Sequence, residues 1–145
     1  MKIVLGSDHG GFYLKEAIAK WLETRSIEVM DVGAYNTDSV DYPDISAKAA
    51  REILEGHCER GILVCGTGIG IGIAANKIDG IRAALCHDVY SARKSREHND
   101  ANILTLGERV IGIGAALLVV EEWLKAEFEG GRHEKRVAKI KELER

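Results

Sequence analysis

A single proline, at position 43, stands in 145 residues, and no linker long enough to divide the chain is visible. Cysteine is scarce too. Cys58, Cys65 and Cys86 make an odd number, form no CxxC pair, and have no His at a metal-ligand spacing from any two of them. A disulfide framework and a cysteine-ligated metal site are therefore not expected, and a reducing cytoplasm is the expected compartment. A basic excess is missing: 20 Lys and Arg stand against 23 Asp and Glu, a net charge of -3. That argues against nucleic acid as a partner, because a phosphate backbone is held by surplus positive charge. The longest nearly unbroken apolar stretch covers residues 110–120, far short of the about 20 that a membrane span needs. The opening MKIVLGSDHGG turns polar and glycine-rich at once, which leaves no signal-peptide core.

What is present suits one compact domain over residues 1–145. Hydrophobic residues make up 46% and charged residues 30%, enough for a sizeable core. Strand-like and helix-like runs alternate. KIVLGS (2–7), IEVMDV (27–32), GILVCG (61–66), IRAALC (81–86) and NILTLG (102–107) read as five strands. Unbroken apolar character, as in GILVCG, marks a parallel sheet buried on both faces. Leu14, Ala17, Ile18, Trp21 and Leu22 repeat at helical spacing. Ile45, Ala49 and Ile53 mark a second helix, with Pro43 suited to its first turn. A short helix to about Lys77, one over 88–97, a nearly all-apolar one over 110–127 and a charged tail helix over about 132–143 complete the pattern. The apolar helix is expected to be buried all round. The predicted fold is α/β: a three-layer, doubly wound, five-stranded parallel sheet, Rossmann-like, with a C-terminal tail helix.

Ligands of such sheets bind beyond the carboxyl ends of the strands. Strand one runs into Ser7-Asp8-His9-Gly10-Gly11, and strand three into Cys65-Gly66-Thr67-Gly68-Ile69-Gly70-Ile71-Gly72. The helix before strand five ends in His98-Asn99-Asp100. These three clusters are expected to converge on one rim. Alternating glycines let backbone N–H groups face an anion at a helix N-terminus, although a plain strand-to-helix turn needs glycine as well. Gly70-x-Gly72-x-x-Ala75, with Asp88 as a ribose acid, loosely fits a nucleotide fingerprint, but it starts late in the turn, and no Gly-Lys-Ser/Thr is present. Cys65 at the mouth of this turn is placed to carry a proton as a thiolate, with Thr67 and nearby N–H groups as donors to an oxyanion. Cys58 has no such setting. Cys86 also ends a strand, without a glycine turn after it. Arg132 and Arg136 lie four apart on the tail, on one helix face, where they form either a solvated surface or a phosphate clamp.

Taken together, GSDHGG, DYPD, CGTGIGIGIAANK followed by GIRAA, SREHNDANIL and EGGRHEKRV resemble the type B ribose-5-phosphate isomerases, in order and over nearly the whole chain. The resemblance implies interconversion of ribose 5-phosphate and ribulose 5-phosphate through an enediolate, a step of the non-oxidative pentose phosphate pathway, with neither metal nor cofactor. It implies that Cys65 moves the proton, that Thr67 with the turn at Gly66, Gly68 and Gly70 stabilises the enediolate, and that His98 opens the furanose ring. It implies sugar contacts from Asp8, Tyr42 and Asn99, and phosphate contacts from His9, Arg132 and Arg136 with Arg109 beside them. One branch of the family places a carboxylate base at the position of Ile71 and a glycine at that of Cys65; this chain matches the cysteine branch. Sites between two subunits of a homodimer, or of a homotetramer, are implied as well. Related enzymes act on galactose 6-phosphate or allose 6-phosphate.

Overall fold

The computed structural model describes residues 1–144. Five strands form one parallel sheet: β1 (Lys2–Ser7), β2 (Glu28–Asp31), β3 (Arg60–Cys65), β4 (Ala83–Leu85) and β5 (Ile103–Gly107). Their order across the sheet is β2-β1-β3-β5-β4. Six helices connect and flank them: α1 (Phe12–Thr24), α2 (Tyr42–Leu54), α3 (Ile69–Asn76), α4 (Val89–Glu97), α5 (Ile113–Lys125) and α6 (Arg132–Glu142). The expected doubly wound, three-layer α/β fold with a tail helix is borne out. Strands two, four and five are shorter than their apolar runs suggest, because pairing stops before the runs do.

Strand side chains alternate between faces with period two. Ile3, Leu5, Ile62, Val64, Leu104 and Leu106 pack on one face with residues of α1, α4 and α5, including the fully buried Trp123. Val4, Leu63, Cys65 and Ile103 face the other way, against Ile45 and Ala49 of α2 and Ile71 and Ala75 of α3. The connection from β1 runs to one side, to β2, while β3 lies on the other side of β1. A crevice therefore opens at the carboxyl ends of β1 and β3, the topological switch point where such sheets hold ligands.

Two expectations fail. The apolar stretch from residue 110 is not buried all round. It is helical only from Ile113, and it buries Ala116, Val119, Val120 and Trp123 while Ile113 and Leu118 stay 54% and 60% exposed. One helix laid on a sheet buries one stripe, and the described residues supply no cover for the opposite stripe. The second failure concerns the rims. In a parallel sheet each connecting helix runs back to the amino ends of the strands. The end of α4 therefore lies on the rim opposite to Cys65. Arg82, just ahead of β4, donates from Nε to the Asn99 carbonyl at 3.0 Å and from Nη2 to the Asp100 carbonyl at 2.8 Å. With strand residues rising about 3.3 Å each, β5 separates the two rims by roughly 15 Å.

Candidate active site

The carboxyl rim gathers one group of candidates. Cys65 ends β3 with its side chain turned toward the α2–α3 layer, and its Sγ accepts the Gly68 N–H at 3.1 Å. That donor stabilises negative charge on sulfur. Gly68 stands at φ +77, and a Cβ there would meet the Leu106 carbonyl carbon at 2.8 Å. A side chain would thus add a clash to the roughly 1–2 kcal/mol cost of left-handed backbone. The Thr105 hydroxyl donates to the Gly68 carbonyl at 2.9 Å and secures the turn from β5. Thr67 is exposed, with its Oγ1 accepting the Ile69 N–H at 3.2 Å.

Around this turn stand the sugar and phosphate candidates. Asp8 is buried and accepts the Gly10 N–H at 2.9 Å, so its carboxylate is aimed by its own backbone. His9 Nδ1 accepts the Val40 N–H at 3.3 Å. The lone pair is therefore on Nδ1, the proton is on Nε2, and Nε2 is left free to donate. The loop that supplies Val40 is held by Lys15, whose fully buried ammonium donates to both Asp31 oxygens at 2.9 and 2.7 Å and to the Ala34 carbonyl. Tyr42 lies on Gly70 so closely that a Cβ would meet its ring at 2.7 Å. Arg109 lies over Gly66 and donates its backbone N–H to the Gly66 carbonyl at 3.0 Å. Its guanidinium has no hydrogen-bond or ionic partner among the described residues.

The amino rim gathers the rest. His98 caps the C-terminus of α4, and its ring stacks on His133 with centroids 4.1 Å apart and planes 12° from parallel. Asn99 beside it is exposed. Glu129, ahead of α6, donates its backbone N–H to the Glu97 carbonyl at 3.0 Å and so ties the tail to α4. Burial, then the neighbouring charges of His98 and Arg132, hold the His133 imidazole below its ordinary value. Arg132 and Arg136 are exposed and unpaired among the described residues. The three clusters do not converge within one chain: Asp8, His9, Tyr42, the glycine turn and Arg109 surround Cys65, whereas His98, Asn99, Arg132 and Arg136 share the far rim. Glu129 and His133 escaped the sequence reading. Their only trace there is a spacing of four.

The other cysteines are set apart. Burial raises the Cys58 thiol and pushes the Cys86 thiol up to about 11. Asp88, the acid of the nucleotide alternative, instead caps α4 by accepting the Ser91 N–H at 2.7 Å.

The family model described as Ribose/Galactose Isomerase matches residues 3–140. The chain belongs to this family. It is an isomerase, and the likeness read from its motifs is borne out. Ribose-5-phosphate isomerase B of Escherichia coli is 48% identical over 143 residues, covering 99% of this chain and 96% of that one. The structure of Clostridium thermocellum ribose-5-phosphate isomerase B superposes with a TM-score of 0.98 at 60% identity, over 99% of this chain and 97% of the other. D-erythrulose-4-phosphate isomerase 2 of Mycolicibacterium smegmatis is 46% identical over 132 residues, 89% of this chain and 87% of its own.

Proposed function

We propose that this chain interconverts D-ribose 5-phosphate and D-ribulose 5-phosphate, in the cytoplasm, without metal or cofactor. The observation that carries the reading is Cys65 held against the Gly68 N–H at the β1/β3 switch point, within a family of sugar isomerases. The Cys65 thiolate takes the C2 proton of the open-chain aldose, and the resulting thiol returns it to C1. The charge that develops on oxygen is met by the Thr67 hydroxyl and the N–H groups of Gly66, Gly68 and Gly70. His98 passes protons between the ring oxygen and the anomeric hydroxyl as the furanose opens. Asp8, Tyr42 and Asn99 hold the sugar hydroxyls. His9, Arg109, Arg132 and Arg136 hold the phosphate, whose binding orients the reacting carbons.

These groups act together only if a second copy lays its amino rim on the carboxyl rim of the first. Two features favour that two-fold homodimer. The guanidinium groups of Arg132 and Arg136 are unpaired among the described residues. Beside the glycine turn, Ile69 and Ile73 are 51% and 59% exposed, an apolar surface that a second copy would cover.

The mycobacterial relative names a four-carbon substrate, so chain length is the property to test. EDTA-treated enzyme should turn over ribose 5-phosphate with a higher kcat/KM than erythrose 4-phosphate, allose 6-phosphate or galactose 6-phosphate. Preference for a tetrose or hexose phosphate would replace the substrate. Activity lost to EDTA and restored by Mg²⁺ or Zn²⁺ would replace the mechanism.

A further inference from the structure

Two arginines carried by the motifs GIRAA and SREHNDANIL have no part in the proposed chemistry, Arg82 and Arg96. Both converge on the end of α4. A helix C-terminus leaves its last carbonyls without partners, and a left-handed glycine commonly closes it. In α4 the left-handed residue is Asp100, at φ +49, a conformation that is costly for a residue with a side chain. The carbonyls are met by guanidinium groups instead. Arg82 donates to the Asn99 carbonyl at 3.0 Å and to the Asp100 carbonyl at 2.8 Å, and Arg96 donates to the Ala101 carbonyl at 2.6 Å. The Asp100 carboxylate bridges the pair, accepting Arg96 Nη1 on Oδ1 at 2.9 Å and Arg82 Nη2 on Oδ2 at 3.4 Å.

The grip is itself anchored. The Arg82 backbone N–H donates to Asn102 Oδ1 at 2.8 Å, and Asn102 Nδ2 donates to the Gly80 carbonyl at 2.9 Å. The Arg82 side chain therefore springs from the amino ends of β4 and β5. Arg96 is buried. The residues just ahead of this clamp are His98 and Asn99, the two groups that the end of α4 offers to a second copy. One glycine is enough to end a helix. Strain persists only where its surroundings over-determine it, and misplacing a reacting group by about 1 Å can cost much of its rate. Two arginines and a strained aspartate fit a turn whose neighbours must keep one position.

We propose that Arg82 and Arg96, bridged by Asp100, are positioning residues for His98 and Asn99, and that their grip governs the rate of furanose opening. The grip follows from the contacts alone. Its effect on rate rests on the ring-opening role given to His98 above.

The test compares two rates in the full-length enzyme. One is pre-steady-state ring opening of ribose 5-phosphate; the other is deuterium exchange at C1 of saturating ribulose 5-phosphate, which has no such ring to open. Arg82→Lys keeps the charge but cannot span two carbonyls. It should slow ring opening about five- to tenfold, less than loss of His98 itself, while exchange stays within about twofold of wild type. An arginine with a merely structural role would lower both rates together. In a His98→Asn background the same change should slow ring opening by no more than about twofold further, because its route of action is gone. Asp100→Gly suits the left-handed backbone and should show the same separation of rates if Arg82→Lys fails to fold. The carbon–proton NMR signal of the His98 ring, assigned by its loss in His98→Asn, should shift or broaden in Arg82→Lys. Equal losses in both rates, full additivity with His98→Asn, or an unchanged His98 signal would overturn the positioning role. Ring opening unimpaired in His98→Asn, with the His98 signal still displaced in Arg82→Lys, would overturn the role of His98 and the effect on rate while leaving the grip.

Discussion

The two rims of the sheet are built from different materials. At the carboxyl rim a thiol, a buried carboxylate and a run of glycines are positioned almost entirely by backbone, as the Gly68 N–H at Cys65 and the Gly10 N–H at Asp8 show. At the amino rim the groups are stacked imidazoles and exposed guanidiniums on the end of α4 and the start of α6. Carbon–hydrogen bond breaking needs a rigid base and preorganised donors, which the first rim has. In the proposed mechanism ring opening needs a mobile proton, which His98 on the second rim supplies, and phosphate capture draws on both rims, through His9 and Arg109 on the first and Arg132 and Arg136 on the second. On the proposed mechanism neither rim alone suffices for the whole reaction.

The sharpest way to break this contrast is to move the base. Cys65→Ala should lower kcat by roughly 10²–10⁴ in both directions, the usual contribution of a positioned acid–base group. Cys58→Ala and Cys86→Ala should leave turnover nearly intact. Iodoacetamide at pH 8 should block Cys65 before Cys86, whose thiol is held up at about 11, and substrate should protect. Full activity in Cys65→Ala would reassign proton transfer to Asp8 or His98.

A smaller loss is expected from the other rim. Furanoses also open slowly without help, so His98→Asn should slow ribose 5-phosphate turnover by about 10–100-fold, below the full acid–base range. Ribulose 5-phosphate cannot form that ring. Its exchange of deuterium at C1 should therefore persist, while pre-steady-state ring opening slows. Exchange abolished along with ring opening would place His98 in the proton transfer itself.

The least effect concerns His87, which ties β4 to β5 at the carboxyl rim by accepting the Gly107 N–H on Nε2 at 2.9 Å. Burial holds its imidazole below the ordinary 6.5, with Asp88 opposing the shift. The unfolded chain then binds the proton first as pH falls. Stability from this contact is complete above about pH 6.5 and is lost progressively below it. Melting temperatures from pH 8 to pH 5 should fall more steeply for the wild type than for His87→Gln. Parallel curves would show that the contact does not titrate with folding.

Much of this was legible in the order of residues. Buried parallel strands read as apolar runs, so KIVLGS and GILVCG announced themselves, and Cys65 could be placed at the mouth of the glycine turn. Rim assignment was harder. His98 looks close to the other clusters because it precedes a strand, yet a helix that precedes a strand in a parallel sheet has just returned to the opposite edge. The stack of His98 on His133 joins residues 35 apart in sequence, and no local period encodes such a contact. The exposed side of α5 is hidden in the sequence for a related reason: apolar character says that Leu118 prefers cover, not that its own chain provides it.

The claim that the two rims complete each other across a pair of subunits has a direct test. Cys65→Ala disables the carboxyl rim and Arg136→Ala the amino rim, so each homodimer should be nearly inactive. After equal mixing and subunit exchange, about half of the dimers should be hybrids, with both defects in one site and neither in the other. Activity should then recover to about a quarter of wild type. Activity remaining at the level of the parents, with mass spectrometry confirming hybrid dimers, would contradict the composite site.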